Sequence, residues 1–130
     1  MNPFQQPGAF SWNELITPDP AAAIAFYTEV LGWTVEADTS AGIPYNTIKA
    51  AGRPIGGIMA PPPDQPAMPP TWGVYITVAD VDETLQKAEA LGGRVLMPAM
   101  DIPTVGRMAL LADPQGATFM VITYAADITG

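Results

Sequence analysis

The chain contains no cysteine and no histidine, and only five lysine and arginine residues stand against thirteen aspartate and glutamate. Without cysteine there can be no disulfide, no thiol nucleophile and no thiolate metal site. Without histidine the commonest metal ligand and the commonest general base near neutral pH are both missing. The shortage of basic residues leaves a formal net charge of −8. Such a field repels nucleic acid and anionic membrane and mildly attracts cationic small molecules, so neither nucleic acid nor membrane is expected as a partner. No apolar run approaches the length of a membrane span. The opening MNPFQQPGAF lacks both the basic region and the apolar run of a signal peptide, and the expected location is the cytoplasm. Gly-rich phosphate loops, nucleophile elbows and metal-spaced clusters are likewise absent.

What is present is a globular composition, with 48% hydrophobic residues over 130 positions. That length suits one domain able to bury roughly two thirds of its unfolded surface. The most complete signal is DPAAAIAFYTEVLGW, from Asp19 to Trp33. Asp19 can cap the first free N–H groups, and Pro20 occupies the position where a missing N–H does no harm. Ala23, Phe26, Tyr27, Val30 and Leu31 recur at helical spacing as one apolar stripe, and Gly32 can turn left-handed to end the helix. DVDETLQKAEALGG, from Asp80 to Gly93, follows the same plan, with Glu83 placed to pair with Lys87. Leu31-Gly32 and Leu91-Gly92 lie sixty positions apart, as do Ile16-Thr17 and Ile76-Thr77, which makes an internal repeat.

Residues 1–9 read as a loose lead-in. Phe10 to Thr17 reads as a strand with Trp12, Glu14 and Ile16 on one face and Asn13, Leu15 and Thr17 on the other. After the first helix, Trp33 to Thr39 alternates as a half-buried strand, and Tyr45 to Ala50 and Ile55 to Ala60 flank AGRP as a hairpin. The Gly56-Gly57 pair is costly inside a strand and points to a bulge or a close backbone approach. From Pro61 to Thr71 there are six prolines in eleven residues, a semi-extended joint that cannot enter a sheet. Trp72 to Val78 is again a strand. After the second helix Arg94 to Met97 starts another, PAMDIPTVG is a loop, and Arg107 to Ala112 and Thr118 to Tyr124 surround the tight turn ADPQGA. The expected fold is α+β, two tandem βαβββ modules at 10–60 and 72–124 joined by the Pro-rich linker 61–71, with a tail at 125–130. A ferredoxin-like unit and a dimeric α+β barrel are the alternatives, although three strands after each helix are too many for the former.

Asp19, Phe26-Tyr27, Leu31-Gly32, Asp80, Leu91-Gly92 and the closing Asp113-Pro114-Gln115-Gly116 together resemble the vicinal oxygen chelate superfamily, which includes glyoxalase I, extradiol dioxygenases and bleomycin-resistance proteins. The wording FSWNEL, VLGW and GRMALLADPQGATF is most similar to a bacterial glyoxalase-like subgroup. The resemblance implies a curved mixed sheet around a central cleft, with His, Gln or Glu metal ligands on the first and last strand of each half. Seven residues before the two helix-cap aspartates stand Trp12 and Gly73, and seven after Asp113 stands Met120. The last strand of the first half offers Ile58 or Met59, and a one-residue slip brings in Asn13 or Trp72. None of these makes a set of N/O donors for a divalent ion, so no metal and no other cofactor is expected.

Glu14 is an acid on a strand face with apolar neighbours. In the cleft it is a candidate acid or base; otherwise it faces solvent or pairs with an arginine such as Arg107. Trp12, Met59, Trp72, Tyr75, Met108, Met120 and Tyr124 either line an apolar ligand pocket or form ordinary core packing. Arg107 can hold an anionic group or simply a neighbouring carboxylate. Three function classes follow. One is a metal-independent protein that binds a small hydrophobic or cationic molecule in the cleft, as the resemblance to bleomycin-resistance proteins implies. The second is an enzyme, metal-free through Glu14 or Tyr75, or a lyase, isomerase or dioxygenase with atypical ligands. The third is a structural domain whose cleft is filled by its own side chains. Edge strands of such modules also lead us to expect a homodimer.

Overall fold

The computed structural model describes residues 1–39, 42–62 and 69–128. Eight strands and two helices follow one another as β1 (Phe10–Ile16), α1 (Pro20–Leu31), β2 (Thr34–Asp38), β3 (Tyr45–Ala50), β4 (Arg53–Met59), β5 (Thr71–Thr77), α2 (Val81–Ala90), β6 (Arg94–Ile102), β7 (Gly106–Ala112) and β8 (Thr118–Tyr124). They fall into two compact units, the first Trp12–Gly73 and the second Val74–Gly130 together with Met1–Ser11. In the first unit the strands lie in the order β2-β3-β4-β1, with β1 parallel to β4. The second repeats this as β6-β7-β8-β5, with β5 parallel to β8. Each is a βαβββ module, since parallel pairing of the first strand with the last requires the long excursion through the helix. Neither helix is long and apolar enough to cross a membrane.

Both helices begin and end where the sequence marks them. Asp19 accepts a hydrogen bond from the Ala22 N–H at 3.1 Å, and Asp80 accepts one from Glu83 at 3.0 Å. Gly32 closes α1 in the left-handed region at φ 71°, donating to the Thr28 carbonyl. The face that α1 buries differs from the expected stripe. Ala23, Ile24 and Tyr27 pack on Leu15, Ile48 and Ile58, while Phe26, Val30 and Leu31 are more than half exposed. PAAAIAFYTEVL is apolar nearly all round, so spacing alone could not choose a face, and the sheet beneath chose it. On α2, Val81, Leu85 and Ala88 pack with Ala109, Leu111, Val121 and Phe119. Glu83 and Lys87 form no ion pair among the described residues.

Three further expectations change. The lead-in is not loose, because Gly8 donates to the Thr77 carbonyl at 2.8 Å, the Thr77 N–H donates to Ala9 at 2.9 Å and the Thr77 hydroxyl donates to Pro3 at 2.6 Å. Strand β6 continues to Ile102, through what reads as the start of a loop. As the outermost strand of its unit it accommodates Pro98, with register shifts between Val95 and Met97 and between Met97 and Met100. The hairpin turn is only Ala51-Gly52, both at positive φ, so β4 starts at Arg53 rather than Ile55. Residues 63–68 of the Pro-rich linker lie outside the described residues, and Thr71 at its end already opens β5.

The paired glycines carry the consequence expected of them. Asn13 and Glu14 of β1 lie opposite Gly56 and Gly57 of β4, and a Cβ at Gly56 would stand 2.5 Å from the Asn13 carbonyl oxygen. The strands approach too closely there for a side chain. Gly56→Ala is expected to destabilise the fold by about 1–3 kcal/mol through forced backbone displacement. Urea denaturation followed by far-UV circular dichroism measures this, and an unchanged midpoint would refute the crowding.

Candidate functional site

In the first unit the pleat sorts the β1 side chains. Leu15 joins Ile48 and Ile58 under α1, which turns Trp12 and Glu14 to the opposite face of the sheet. Glu14 is 7% exposed. Its ladder partner is Gly57, which also faces Thr47 of β3. A Cβ at Gly57 would fall on the ring and hydroxyl of Tyr45, so the missing side chain is what lets the Tyr45 ring lie across the strand. The Tyr45 hydroxyl accepts a hydrogen bond of 2.8 Å from the Trp12 indole N–H. An indole, a phenol and a buried carboxyl thus share one sheet face, with half-buried Met59 following on β4. Tyr45 is the member that sequence reasoning missed. Its signal was the Gly56-Gly57 pair, which announced a close approach without saying what approaches.

Trp72 does not join this group. Its indole N–H donates to the Tyr27 hydroxyl at 3.1 Å, and its ring meets Tyr27 and Trp33 edge-on at 5.4 and 6.0 Å. It belongs to the α1 face, away from Trp12.

The second unit places Tyr75, Met108, Met120 and Tyr124 on the face of its sheet turned away from α2. Tyr75 and Met108 are buried, and the Tyr75 hydroxyl donates weakly to the Met108 sulfur at 3.8 Å. Met120 is the ladder partner of Tyr75, and Ile122 that of Met108. The Tyr124 hydroxyl shares a 2.7 Å hydrogen bond with Ser11, and its ring meets Phe4 edge-on at 4.8 Å. These side chains interlock with one another and with the N-terminal segment.

Arg107 lies on the other face of the same sheet, beside α2. Its guanidinium grips Asp82 through two 3.0 Å hydrogen bonds and reaches Asp101 at 3.1 Å. It therefore stands apart from Tyr75 and Met108, and its charge is met by neighbouring carboxylates. The hydrogen bonds from Arg107 hold the Asp82 carboxyl below its usual value, and those carboxylates raise the guanidinium in turn.

The resemblance assigns metal ligands to the positions of Trp12, Gly73 and Met120. The Trp12 indole nitrogen is a donor only and faces Tyr45, Gly73 has no side chain, and Met120 offers a thioether opposite Tyr75. Among the described residues no three His, Cys, Asp or Glu side chains gather as a metal site would need.

A sequence profile of the Glyoxalase/Bleomycin resistance protein/Dioxygenase superfamily matches residues 9–121. The chain is 46% identical over 119 residues to "Putative glyoxylase CFP32" of Mycobacterium tuberculosis, covering 91% of this chain and 45% of that protein. It is 37% identical to the anthracycline biosynthesis protein DnrV of Streptomyces peucetius, covering 95% of this chain and 51% of that one. The chain thus spans about half the length of these relatives. Among solved structures, a methylmalonyl-CoA epimerase variant from Streptomyces coelicolor, in complex with 2-nitronate-propionyl-CoA, superposes with a TM-score of 0.64 at 17% identity. That match covers 93% of this chain and 100% of the epimerase chain, and it establishes likeness of fold.

The Arg107 cluster makes a pH-dependent prediction. A carboxyl whose folded value is depressed contributes stability above its unfolded value, about 3.9, and that contribution is lost as pH falls through the folded value. Asp82→Asn is therefore expected to melt slightly below the parent at pH 7 and level with it at pH 2. A gap that persisted undiminished in acid would refute the ion pair as its cause.

Proposed function

Because the chain belongs to the Glyoxalase/Bleomycin resistance protein/Dioxygenase superfamily, we propose that it binds a small organic molecule, hydrophobic or cationic, against the Trp12–Glu14–Tyr45 face without the metal used elsewhere in the superfamily. The observation that carries this reading is Glu14, a carboxyl 7% exposed on the sheet face that also holds an indole and a phenol. Apolar and aromatic walls with a few placed polar groups are what a small-molecule site usually offers. A carboxylate against aromatic rings suits a cation in particular, and the net charge of −8 raises the local concentration of cations. The relative named for anthracycline biosynthesis and the epimerase solved with a CoA ester both support a small organic ligand.

A second reading uses the same residues as catalysts. A carboxylate could take a proton from an activated carbon, while the Tyr45 phenol steadies the charge that develops. That chemistry would make the protein a metal-free isomerase or lyase. Glu14→Gln separates the two readings. In the binding protein, an aromatic cation loses about tenfold to a hundredfold in affinity, the loss that follows from removing a contact to a charged group. In the enzyme, affinity is largely kept and turnover disappears.

Titration of a panel of aromatic cations, aldehydes and anthracyclines tests the binding reading. Changing Trp33 and Trp72 to Phe leaves Trp12 as the sole indole reporter among the three tryptophans. Binding is expected to shift its fluorescence, and raising salt is expected to weaken cations selectively. No response across the panel would sink the proposal, as would about one equivalent of Zn, Fe, Ni or Mn retained after desalting sink its metal-independent part. Strands β2 and β6 are the outermost strands of their units and leave edges open to pairing, and we propose that two copies of the chain associate. Light scattering is expected to return twice the 13.7 kDa of one chain; a monomer at micromolar concentration would overturn it.

A further inference from the structure

A cavity of about 330 Å³ opens on the α1 side of the first unit, walled by Asn13, Trp33, Ile48, Ile55, Gly56 and Trp72. It lies across the sheet from Trp12, Glu14 and Tyr45, because Ile48 belongs to the core packed against α1 and Asn13 shares the β1 face of Leu15. The helix covers Leu15, Ile48 and Ile58 with Ala23, Ile24 and Tyr27, and then stops at Leu31. Gly32 turns the chain and delivers Trp33, whose ring stacks on Tyr27 at 5.5 Å. Trp72 is held by its hydrogen bond to the Tyr27 hydroxyl, so the two indoles form a corner with their planes at 78°.

The β-bulge between β3 and β4 completes the wall. Ile48 pairs with Gly56 and Lys49 with Pro54, which leaves Ile55 as the extra residue. A bulge re-aims the side chain it carries, and here Ile55 reaches the same cavity as its neighbour Gly56. Gly56 contributes bare backbone to the floor. None of the six lining residues is charged, in a chain of net charge −8. The one polar side chain among them is Asn13, whose amide hydrogen-bonds to no other described residue.

We propose that this cavity is a binding site for an uncharged, planar aromatic molecule, distinct from the Trp12–Glu14–Tyr45 face. A flat ring lying on one indole presents its face to that indole and its edge to the other, the two arrangements aromatic pairs favour. The isoleucines seal the remaining hydrocarbon, and the Asn13 amide accepts or donates one hydrogen bond at the mouth. An anion would lose its hydration against walls that return no opposite charge. An anion is further opposed by the net charge of the chain.

N-phenyl-1-naphthylamine and 1-anilinonaphthalene-8-sulfonate share one aromatic framework and differ by a sulfonate, which makes them a matched pair of probes. The neutral probe is expected to bind at least tenfold more tightly. In the unmodified protein it should shift the indole N–H proton resonances of Trp33 and Trp72 and leave that of Trp12 in place. Ile55→Trp, which fills the cavity, and Trp72→Ala, which removes a wall, should each weaken it about tenfold. The site is refuted if the probe fails to bind, if it moves Trp12 alone, if the two cavity variants bind it like the parent, or if the sulfonate binds equally well. The resonance shifts need no variant, and they distinguish failure here from failure of the Trp12 face, which is read on the other indole.

Discussion

The approach of β1 to β4 is the constraint on which the first unit depends. Parallel pairing puts Asn13 and Glu14 opposite Gly56 and Gly57, and at that crossing the sheet has no room for side chains on β4. The two glycines work on opposite faces. Gly57 admits the Tyr45 ring, which takes the hydrogen bond of Trp12 and lies over the ladder position facing Glu14. Gly56 leaves bare floor beneath Trp33 and Trp72. Two strand residues of poor β-propensity thus cost sheet stability and open space on both sides of it.

The second unit repeats the architecture without repeating the chemistry. Its helix is capped by Asp80 as the first is by Asp19, and β5 pairs with β8 as β1 does with β4. Yet the face that corresponds to Trp12 and Glu14 is filled by Tyr75, Met108 and Ile122, all buried. The N-terminal segment adds Phe4 against Tyr124 and threads its carbonyls onto Thr77. Arg107 looks like an anion-binding residue but holds Asp82 of α2 and Asp101 of β6 instead. Duplication of a module conserves the backbone ladder, since that depends on caps, stops and pleat. The side chains that fill each face are left to diverge.

The separation of the two faces also limits what one residue change can reach. Trp12 and Trp72 are both tryptophans near the ends of strands, but one serves the sheet face away from α1 and the other serves the helix side. Trp12 donates its indole hydrogen bond to Tyr45, whereas the Trp72 ring meets Tyr27 and Trp33.

Local chemistry alone was enough to read the repeat, the two capped helices, the tight turn at Asp113 and the order of strands. Caps, left-handed glycines and two-residue alternation act within a few residues of one another, so they are visible in one dimension. The Asp113 turn illustrates this, with its carboxylate accepting from Gln115 and Ala117 only a few residues away. What depended on distant partners was not legible. The buried face of α1 could not be read from a helix apolar on every side, and only the sheet beneath selected Ile24 over Phe26. The continuation of β6 through Pro98 depended on its being outermost in its unit. Tyr45 entered the candidate site because Gly57, twelve residues on, made room for it, and Arg107 left it because Asp82 lay within reach. The sequence determined which elements form and where they stop, since those outcomes rest on contacts between near neighbours. Which side chains meet is decided by strand register and close packing, and these exist only once the chain has folded.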